Sequence, residues 1–230
     1  MNQLARGAIV LAGILIAGVC SAQTLAHGLR EFSQTGTFEV PSGVSQISVE
    51  IWGGGGGGAG GHVGGLGPGS GGAGGGSGSY VKAIVIVKPG DTYTIEVGRG
   101  GRGGTGESRQ RPLPGENGGD SFIRRGGEIV IVAHGGRGGL VGRSGARAGA
   151  GGAASDATGL ISRSGNPGTE GHIGGATEWT FVSGGNGGAA VRGSVDPSGS
   201  FGGAGGAGRL VTAGSESGKP GGEGAAIVSW

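Results

Sequence analysis

Arginine is the residue type with the clearest chemical potential in this sequence, because nine arginines fall between positions 99 and 147. A guanidinium group is always charged and presents a planar fork of donors to phosphate or carboxylate oxygens. In an extended helix of three residues per turn, Arg99 and Arg102 would project from one side, about 9 Å apart. The pattern predicts a surface for an acidic glycan or lipopolysaccharide, and its candidate contact residues are Arg99, Arg102, Arg109, Arg111 and Arg137. The alternative is a solvated face that keeps the chain soluble.

Three histidines, His62, His134 and His172, each lie beside a glycine tract. Loops at one end of a fold could bring them together as a metal or acid–base site. Their spacing matches no known metal-ligand pattern, however, so we expect hydrogen-bonding side chains and no metal site.

No motif of a common catalytic site is present. The G-x-G-x-x-G match at Gly98, Gly100 and Gly103 is expected by chance in a chain with 67 glycines, and it opens no helix. Lys219 is followed by Pro220, where a phosphate-binding loop needs Ser or Thr, and G-x-S-x-G does not occur. We therefore predict a protein that is not an enzyme and needs no cofactor.

The glycine content decides which architectures are open to the chain. Average glycine usage is about 7%, far below 67 of 230 residues. Fixing each backbone residue costs about 1–2 kcal/mol, so these glycines must either stay disordered or gain many hydrogen bonds. Recurring apolar runs and a charged content of only 14% argue against disorder. The net charge of +2 is too small to indicate nucleic-acid binding.

The glycine tracts keep a period of three. Between Gly98 and Gly106, Arg99, Arg102 and Thr105 interrupt the glycines at every third position. Three residues per turn is the period of an extended polyproline-like helix, whose backbone groups need partners outside the helix. Glycine would let neighbouring helices pair backbone to backbone. The sequence predicts a bundle of such polyglycine II helices, and a flexible Gly/Ser linker is the alternative.

Short runs rich in Val, Ile, Thr and aromatic residues separate the glycine tracts, and no amphipathic helix is visible. We predict an all-β fold, a β-sandwich of jelly-roll type with the polyglycine helices inserted between strands. The predicted strands are Glu31–Val40, Gln46–Trp52, Tyr80–Val87, Thr92–Val97, Ser121–Arg124, Glu128–Ala133, Glu178–Ser183 and Ala225–Trp230.

Residues 1–22 have the pattern of a secretory signal peptide, with Arg6 before an apolar stretch and Cys20-Ser21-Ala22 at the cleavage site. This leaves 23–230 as one domain without a membrane span, exported to the cell surface or beyond, with the periplasm as the other destination. Lipidation at Cys20 is the alternative, although Val19 fits a lipobox poorly.

The order of motifs along the chain resembles one known family. It begins with Gly36-Thr37-Phe38-Glu39-Val40-Pro41 and Ile47–Trp52 before a run of six glycines, continues with Lys88-Pro89-Gly90-Asp91, and ends with Ala225–Trp230. This pattern is similar to the glycine-rich domain of phage tail-fibre adhesins and bacterial exported proteins, and to the glycine-rich region of the anaplastic lymphoma kinase receptor. The leader departs from the phage adhesins, which need no signal peptide.

The resemblance implies a β-sandwich with polyglycine helices, and binding or adhesion rather than catalysis. Combined with the leader and the arginines, it predicts a secreted or surface-located module that binds a cell-surface glycan. The alternative is a structural subunit of an extracellular matrix or filament, because unpaired edges can pair with other chains in self-association.

Overall fold

The computed structural model describes residues 27–62, 70–106, 111–141, 161–172, 184–193, 210–211 and 214–230. Within these ranges the chain is all-β, as the sequence predicts, and contains no helix that could cross a membrane. Its strands are β1 Leu29–Phe32, β2 Gly36–Glu39, β3 Gln46–Trp52, β4 Tyr80–Ile86, β5 Thr92–Glu96, β6 Ser121–Arg125, β7 Glu128–Ala133, β8 Ile161–Arg163, β9 Leu210–Val211, β10 Gly214–Ser215 and β11 Ala225–Ser229.

Two antiparallel sheets organise the strands. One has the order β1-β11-β3-β4-β8 and the other the order β2-β5-β6-β7, while β9 and β10 form a separate pair. In the five-stranded sheet, β3 lies between β11 and β4, and it places Glu50 opposite Lys82 and Trp52 opposite Tyr80. This register decides which side chains share the outer face of the sheet.

Most predicted strands have nearly the predicted limits, and the differences have a structural cause. The single run predicted at Glu31–Val40 is two strands, because β1 pairs with β11 in one sheet and β2 pairs with β5 in the other. The strand Ile161–Arg163 was not predicted, and it forms by pairing with the start of β4. The predicted strand Glu178–Ser183 and the leader lie outside the described residues.

Apolar side chains from both sheets share one core. Val49 and Ile51 come from the five-stranded sheet, Tyr93, Ile95 and Ile123 come from the four-stranded sheet, and none is more than 1% exposed. Burial of each aliphatic side chain of this size contributes about 1.5–3 kcal/mol. The inward-facing residues of β3 and β5 therefore hold the two sheets together.

The glycine segments between the strands are joined by backbone hydrogen bonds. All ten N–H groups of Gly53–His62, which we call the central segment, donate to carbonyl oxygens of other segments at 2.8–3.1 Å. The acceptors change in a cycle of three residues. Gly53 and each third residue after it donate to segment 70–79, Gly54 and its series donate to segment 113–120, and Gly55 and its series donate to segment 216–224.

The segments lie so close together that side chains cannot fit between them. A Cβ atom on Gly57 would overlap the carbonyl group of Arg102, and a Cβ atom on Gly56 would overlap that of Arg137. Both obstacles are backbone atoms that are themselves hydrogen-bonded, so neither can rotate aside. Glycine is required at these positions because another main chain occupies the space of its side chain.

Candidate functional site

The arginine segment, Gly98–Gly106, follows β5 and is anchored where the sheets meet the glycine segments. The buried Ser121 hydroxyl accepts a hydrogen bond from the Gly98 N–H at 2.8 Å and donates one to the Trp52 carbonyl at 2.7 Å. The Gly98 carbonyl in turn accepts a bond from the Gly224 N–H at 2.8 Å. One serine side chain thus connects the ends of β3 and β5 at the start of β6.

Three neighbouring segments hold the backbone of the arginine segment. Its N–H groups at Gly101 and Gly104 donate to the central segment at 2.8 Å. Its carbonyls at Arg99 and Arg102 accept from segment 113–120 at 2.8 and 2.9 Å, and those at Gly98, Gly101 and Gly104 accept from segment 216–224 at 2.8 Å. Backbone bonds to neighbouring segments therefore hold six of its nine residues, namely Gly98, Arg99, Gly101, Arg102, Gly104 and Thr105.

Arg99 and Arg102 are exposed, while Gly98, Gly101 and Gly104 between and beside them are buried. Neither guanidinium group forms an ion pair with a carboxylate of the described residues. Arginines of the four-stranded sheet differ, because Arg124 contacts Glu96 at 2.9 Å and Arg125 contacts Asp91 at 3.2 Å. The arginine segment thus offers charged donors that no described acidic group occupies.

The predicted arginines that the structure describes do not all lie on one segment. Arg111 is exposed and lies two residues before Leu113, whose N–H donates to the Thr105 carbonyl at 2.9 Å. Arg137 is also exposed, but it lies on segment 134–141, which bonds to the other side of segment 113–120. Arg109 lies outside the described residues. Arg99 and Arg102 are therefore exposed on one segment, and Arg137 lies on a different one.

Acidic residues also approach the arginine segment. The Glu116 N–H donates to the Arg102 carbonyl at 2.9 Å, and the Glu116 side chain is exposed. Glu223 is exposed on segment 216–224, one residue before Gly224. Both acidic residues thus belong to segments that bond to the arginine segment.

The three histidines do not form a metal site within the described ranges. No group of three or more His, Cys, Asp or Glu side chains suited to a metal ion occurs there. His134 Nδ1 lies 3.1 Å from Asp120 Oδ2, and the same carboxylate accepts a bond from the Gly135 N–H at 2.8 Å. His134 and Asp120 therefore fix the start of a glycine segment.

Sequence reasoning missed a polar network on the outer face of the five-stranded sheet. Glu50 is only 5% exposed, and its carboxylate accepts bonds from the Tyr80 hydroxyl at 2.8 Å and the Lys82 ammonium at 3.3 Å. Trp52 packs against Tyr80 and donates from Nε1 to the Val191 carbonyl at 2.8 Å. The β3–β4 register brings these residues together, and no spacing along the sequence reveals it.

Comparison with known families gives the classification. A model described as the glycine-rich domain matches residues 31–230, which is most of the chain. The chain belongs to the glycine-rich domain family. In this glycine-rich domain the match covers the sheets, the arginine segment and the central segment alike. No curated protein matches the chain.

Proposed function

We propose that this glycine-rich domain is an exported adhesion module that binds anionic cell-surface glycans, lipopolysaccharide included, and catalyses no reaction. The pair Arg99 and Arg102 carries the proposal. Both residues are exposed, lack an ion-pair partner among the described residues, and stand three residues apart on a hydrogen-bonded backbone.

The scaffold in this proposal is a bundle of polyglycine II helices at one end of a jelly-roll-type β-sandwich. The three-residue cycle of donors along the central segment supports it, because each neighbour of a three-fold helix receives every third N–H. The glycine positions facing carbonyl groups of neighbouring segments support it as well. The core cluster shared by two sheets supports the sandwich.

Export is proposed from the sequence of residues 1–22, and adhesion from the resemblance to phage tail-fibre adhesins. Binding residues in proteins concentrate on segments that a rigid scaffold positions. The arginine segment has this arrangement, since its backbone bonds to three neighbours while its arginine side chains extend into solvent. That the domain catalyses no reaction is likewise proposed, from the sequence, which has no motif of a common catalytic site.

The chemistry favours a polyanion over a single small anion. An exposed ion pair contributes only about 0–1 kcal/mol, so one arginine would hold a carboxylate weakly. Two in-phase arginines on a fixed backbone can contact successive groups of one polymer, and the ordering cost of the backbone has already been met by folding. Binding of this kind weakens as ionic strength rises.

The test is a binding measurement on the full chain with lipopolysaccharide, a carboxylated polysaccharide and uncharged dextran. We expect the double variant Arg99→Gln/Arg102→Gln to bind the two anionic polymers about tenfold more weakly, which corresponds to about 1.4 kcal/mol. Thermal unfolding of the variant should match that of the parent chain, because both side chains are exposed.

The matched control removes two positive charges elsewhere. Lys88 lies in the exposed β4–β5 turn, and Arg163 is exposed on β8. Lys88→Gln/Arg163→Gln should retain binding within about twofold. Equal losses of binding in the two double variants would mean that binding depends only on the net charge of the chain. Absence of binding to either anionic polymer by the parent chain would overturn the proposal.

A further inference from the structure

Two asparagines among the described residues are each followed by glycine, at Asn117-Gly118 and Asn186-Gly187. In this dipeptide the main-chain nitrogen of the glycine can attack the side-chain amide carbon of the asparagine, because glycine has no Cβ atom to obstruct the approach. The new N–C bond closes a succinimide ring, and the amide nitrogen leaves as ammonia with the proton of the glycine N–H. Water then opens the ring, which gives either aspartate or a β-aspartyl linkage.

At Asn117, hydrogen bonds hold both groups that would react. The Asn117 Oδ1 accepts a bond from the Gly138 N–H at 3.0 Å, and the Gly118 N–H donates to the Gly136 carbonyl at 2.8 Å. Both bonds cross to the same neighbouring glycine segment. Attack at Asn117 therefore requires two bonds between closely packed main chains to break.

At Asn186, the reacting groups are not held in this way. The residue is exposed, and its main chain bonds to Thr169, from its N–H to the hydroxyl at 2.6 Å and from the Thr169 N–H to its carbonyl at 2.8 Å. Among the described residues, no hydrogen bond involves the Asn186 side-chain amide or the Gly187 N–H. Rotation of the Asn186–Gly187 peptide toward attack therefore interrupts only the contacts of the Asn186 carbonyl with Thr169.

The third asparagine of the described residues, Asn166, provides an internal reference. The residue after it is Pro167, whose nitrogen carries no proton and cannot close the ring. The Asn166 Nδ2 also donates to the Ala189 carbonyl at 2.8 Å. Asn166 should therefore stay unmodified under conditions in which an Asn-Gly pair reacts.

We propose that Asn186 is a site of spontaneous deamidation and β-aspartyl formation, with water as the only co-reactant, and that the fold selects it over Asn117. The two sites have the same dipeptide sequence, so the difference between them arises from their hydrogen bonds. The proposal does not rest on the proposed function, because no backbone bond of the described residues joins segment 184–193 to the arginine segment.

The modification would disturb the three-residue phase of the segment that carries Asn186. The Gly185 N–H donates to the Gly72 carbonyl at 2.8 Å and the Gly188 N–H donates to the Gly75 carbonyl at 2.9 Å, so two fixed bonds flank Asn186. A β-aspartyl linkage adds one carbon atom to the main chain between them, and the two amides can no longer reach their present acceptors together. The aspartate product keeps the chain length but adds a negative charge.

The test is peptide mapping by mass spectrometry of the full chain after incubation in mildly alkaline buffer, folded and in urea. In the folded chain, Asn186 should convert at least about fivefold faster than Asn117, since one more well-formed hydrogen bond must break at Asn117. In urea these bonds are absent, and the two rates should agree within about twofold. Equal rates in the folded chain, or conversion of Asn186 only in urea, would overturn the proposal.

Asn186→Gln separates the modification from other changes on ageing, because a glutamine would have to close a larger ring. Incubation of the parent chain should lower its free energy of unfolding in urea, and incubation of Asn186→Gln should leave it unchanged. The matched control, Asn117→Gln, should lose stability on incubation as the parent chain does. An aged parent chain that carries the β-aspartyl linkage and unfolds like the fresh one would show that the linkage does not disturb the segment.

Discussion

The two β-sheets and the glycine segments between their strands, which we call the strand half and the glycine half, exclude water in different ways. Between the sheets, side chains such as Ile51 and Ile95 fill the space and are fully buried. Between the glycine segments, main chains fill the space, and Gly57 lies against the carbonyl of Arg102. The sheet core gains stability from buried apolar area, while the glycine half depends on hydrogen bonds that cannot form at greater separation.

The comparison shows that burial alone does not identify a hydrophobic core. Every residue from Gly53 to Gly61 is buried, as are those from Gly71 to Ser79, yet alanines are the only apolar side chains among them. In such a region each buried amide needs a hydrogen-bond partner, because no large apolar side chains are buried there to offset the cost of an unsatisfied amide. The two halves should therefore respond differently to the same chemical change.

The largest expected effect comes from adding one methyl group to the glycine half. Gly57→Ala places its Cβ against the Arg102 carbonyl, and relief requires two bonded main chains to separate. Since overpacking of a closed interior costs about 1–3 kcal/mol and occasionally more, we expect a loss of about 3 kcal/mol in the free energy of unfolding. Urea denaturation measures it.

Two controls sharpen this result. Gly43→Ala places a methyl group in open space at φ 81°, so only backbone strain of about 1–2 kcal/mol opposes it. Ile95→Val removes one methyl group from the sheet core and should cost about 0.5–1.5 kcal/mol. If Gly57→Ala is no more destabilising than either control, the glycine segments are not closely packed.

A smaller effect is expected at the junction between the halves. Ser121→Ala leaves the buried Gly98 N–H without its acceptor and the Trp52 carbonyl without its donor. Unsatisfied buried groups cost about 1–3 kcal/mol, so the free energy of unfolding should fall by about 2 kcal/mol. The control is Ser229→Ala. The Ser229 hydroxyl makes only a 3.5 Å contact with the Ser48 carbonyl, so this substitution should change the free energy of unfolding by less than about 0.5 kcal/mol. Equal effects would mean that Ser121 does not couple the halves.

The smallest effect concerns Tyr93 in the sheet core. Burial raises the pKa of its phenol, and the nearby Arg125 guanidinium opposes part of that rise. The hydroxyl makes no well-directed hydrogen bond with a described residue. The unfolded chain ionises this group near pH 10 more readily than the folded chain does, so stability is retained below that pH and declines above it.

Tyr93→Phe should therefore change the free energy of unfolding little at pH 7 and reduce its decline between pH 9.5 and 11, ranges chosen around the tyrosine pKa of about 10. The difference between the variant and the parent chain across this pH range is the measured quantity. Parallel pH profiles for the two proteins would show that Tyr93 ionises as freely in the folded state as in the unfolded one.

Much of the strand half follows from local sequence pattern. Gln46–Trp52 and Glu128–Ala133 are strands with the predicted limits, because the first run alternates apolar and polar residues and the second is a short run rich in Val and Ile. Ile161–Arg163 has too few residues to show alternation, and only its pairing with β4 makes it a strand. The change of sheet between Phe32 and Gly36 also depends on partners distant in sequence.

The candidate sites show the same division between local and distant information. The spacing of Arg99 and Arg102 was visible in the sequence, and both are exposed on one segment. The position of Arg137 on another segment and the buried Glu50 network depend on strand register and chain reversal. A single sequence carries no signal for such contacts.

The three-residue cycle of donors along Gly53–His62 limits how this chain can change in length. Deleting one residue would rotate all later amides by a third of a turn, so that each would face a neighbour whose carbonyls are out of step. Adding three residues would keep each later amide facing the same segment, with its bond moved to a carbonyl one turn along. Insertions and deletions of three residues in this segment should therefore be tolerated better than those of one or two residues, because they keep the cycle of donors in phase.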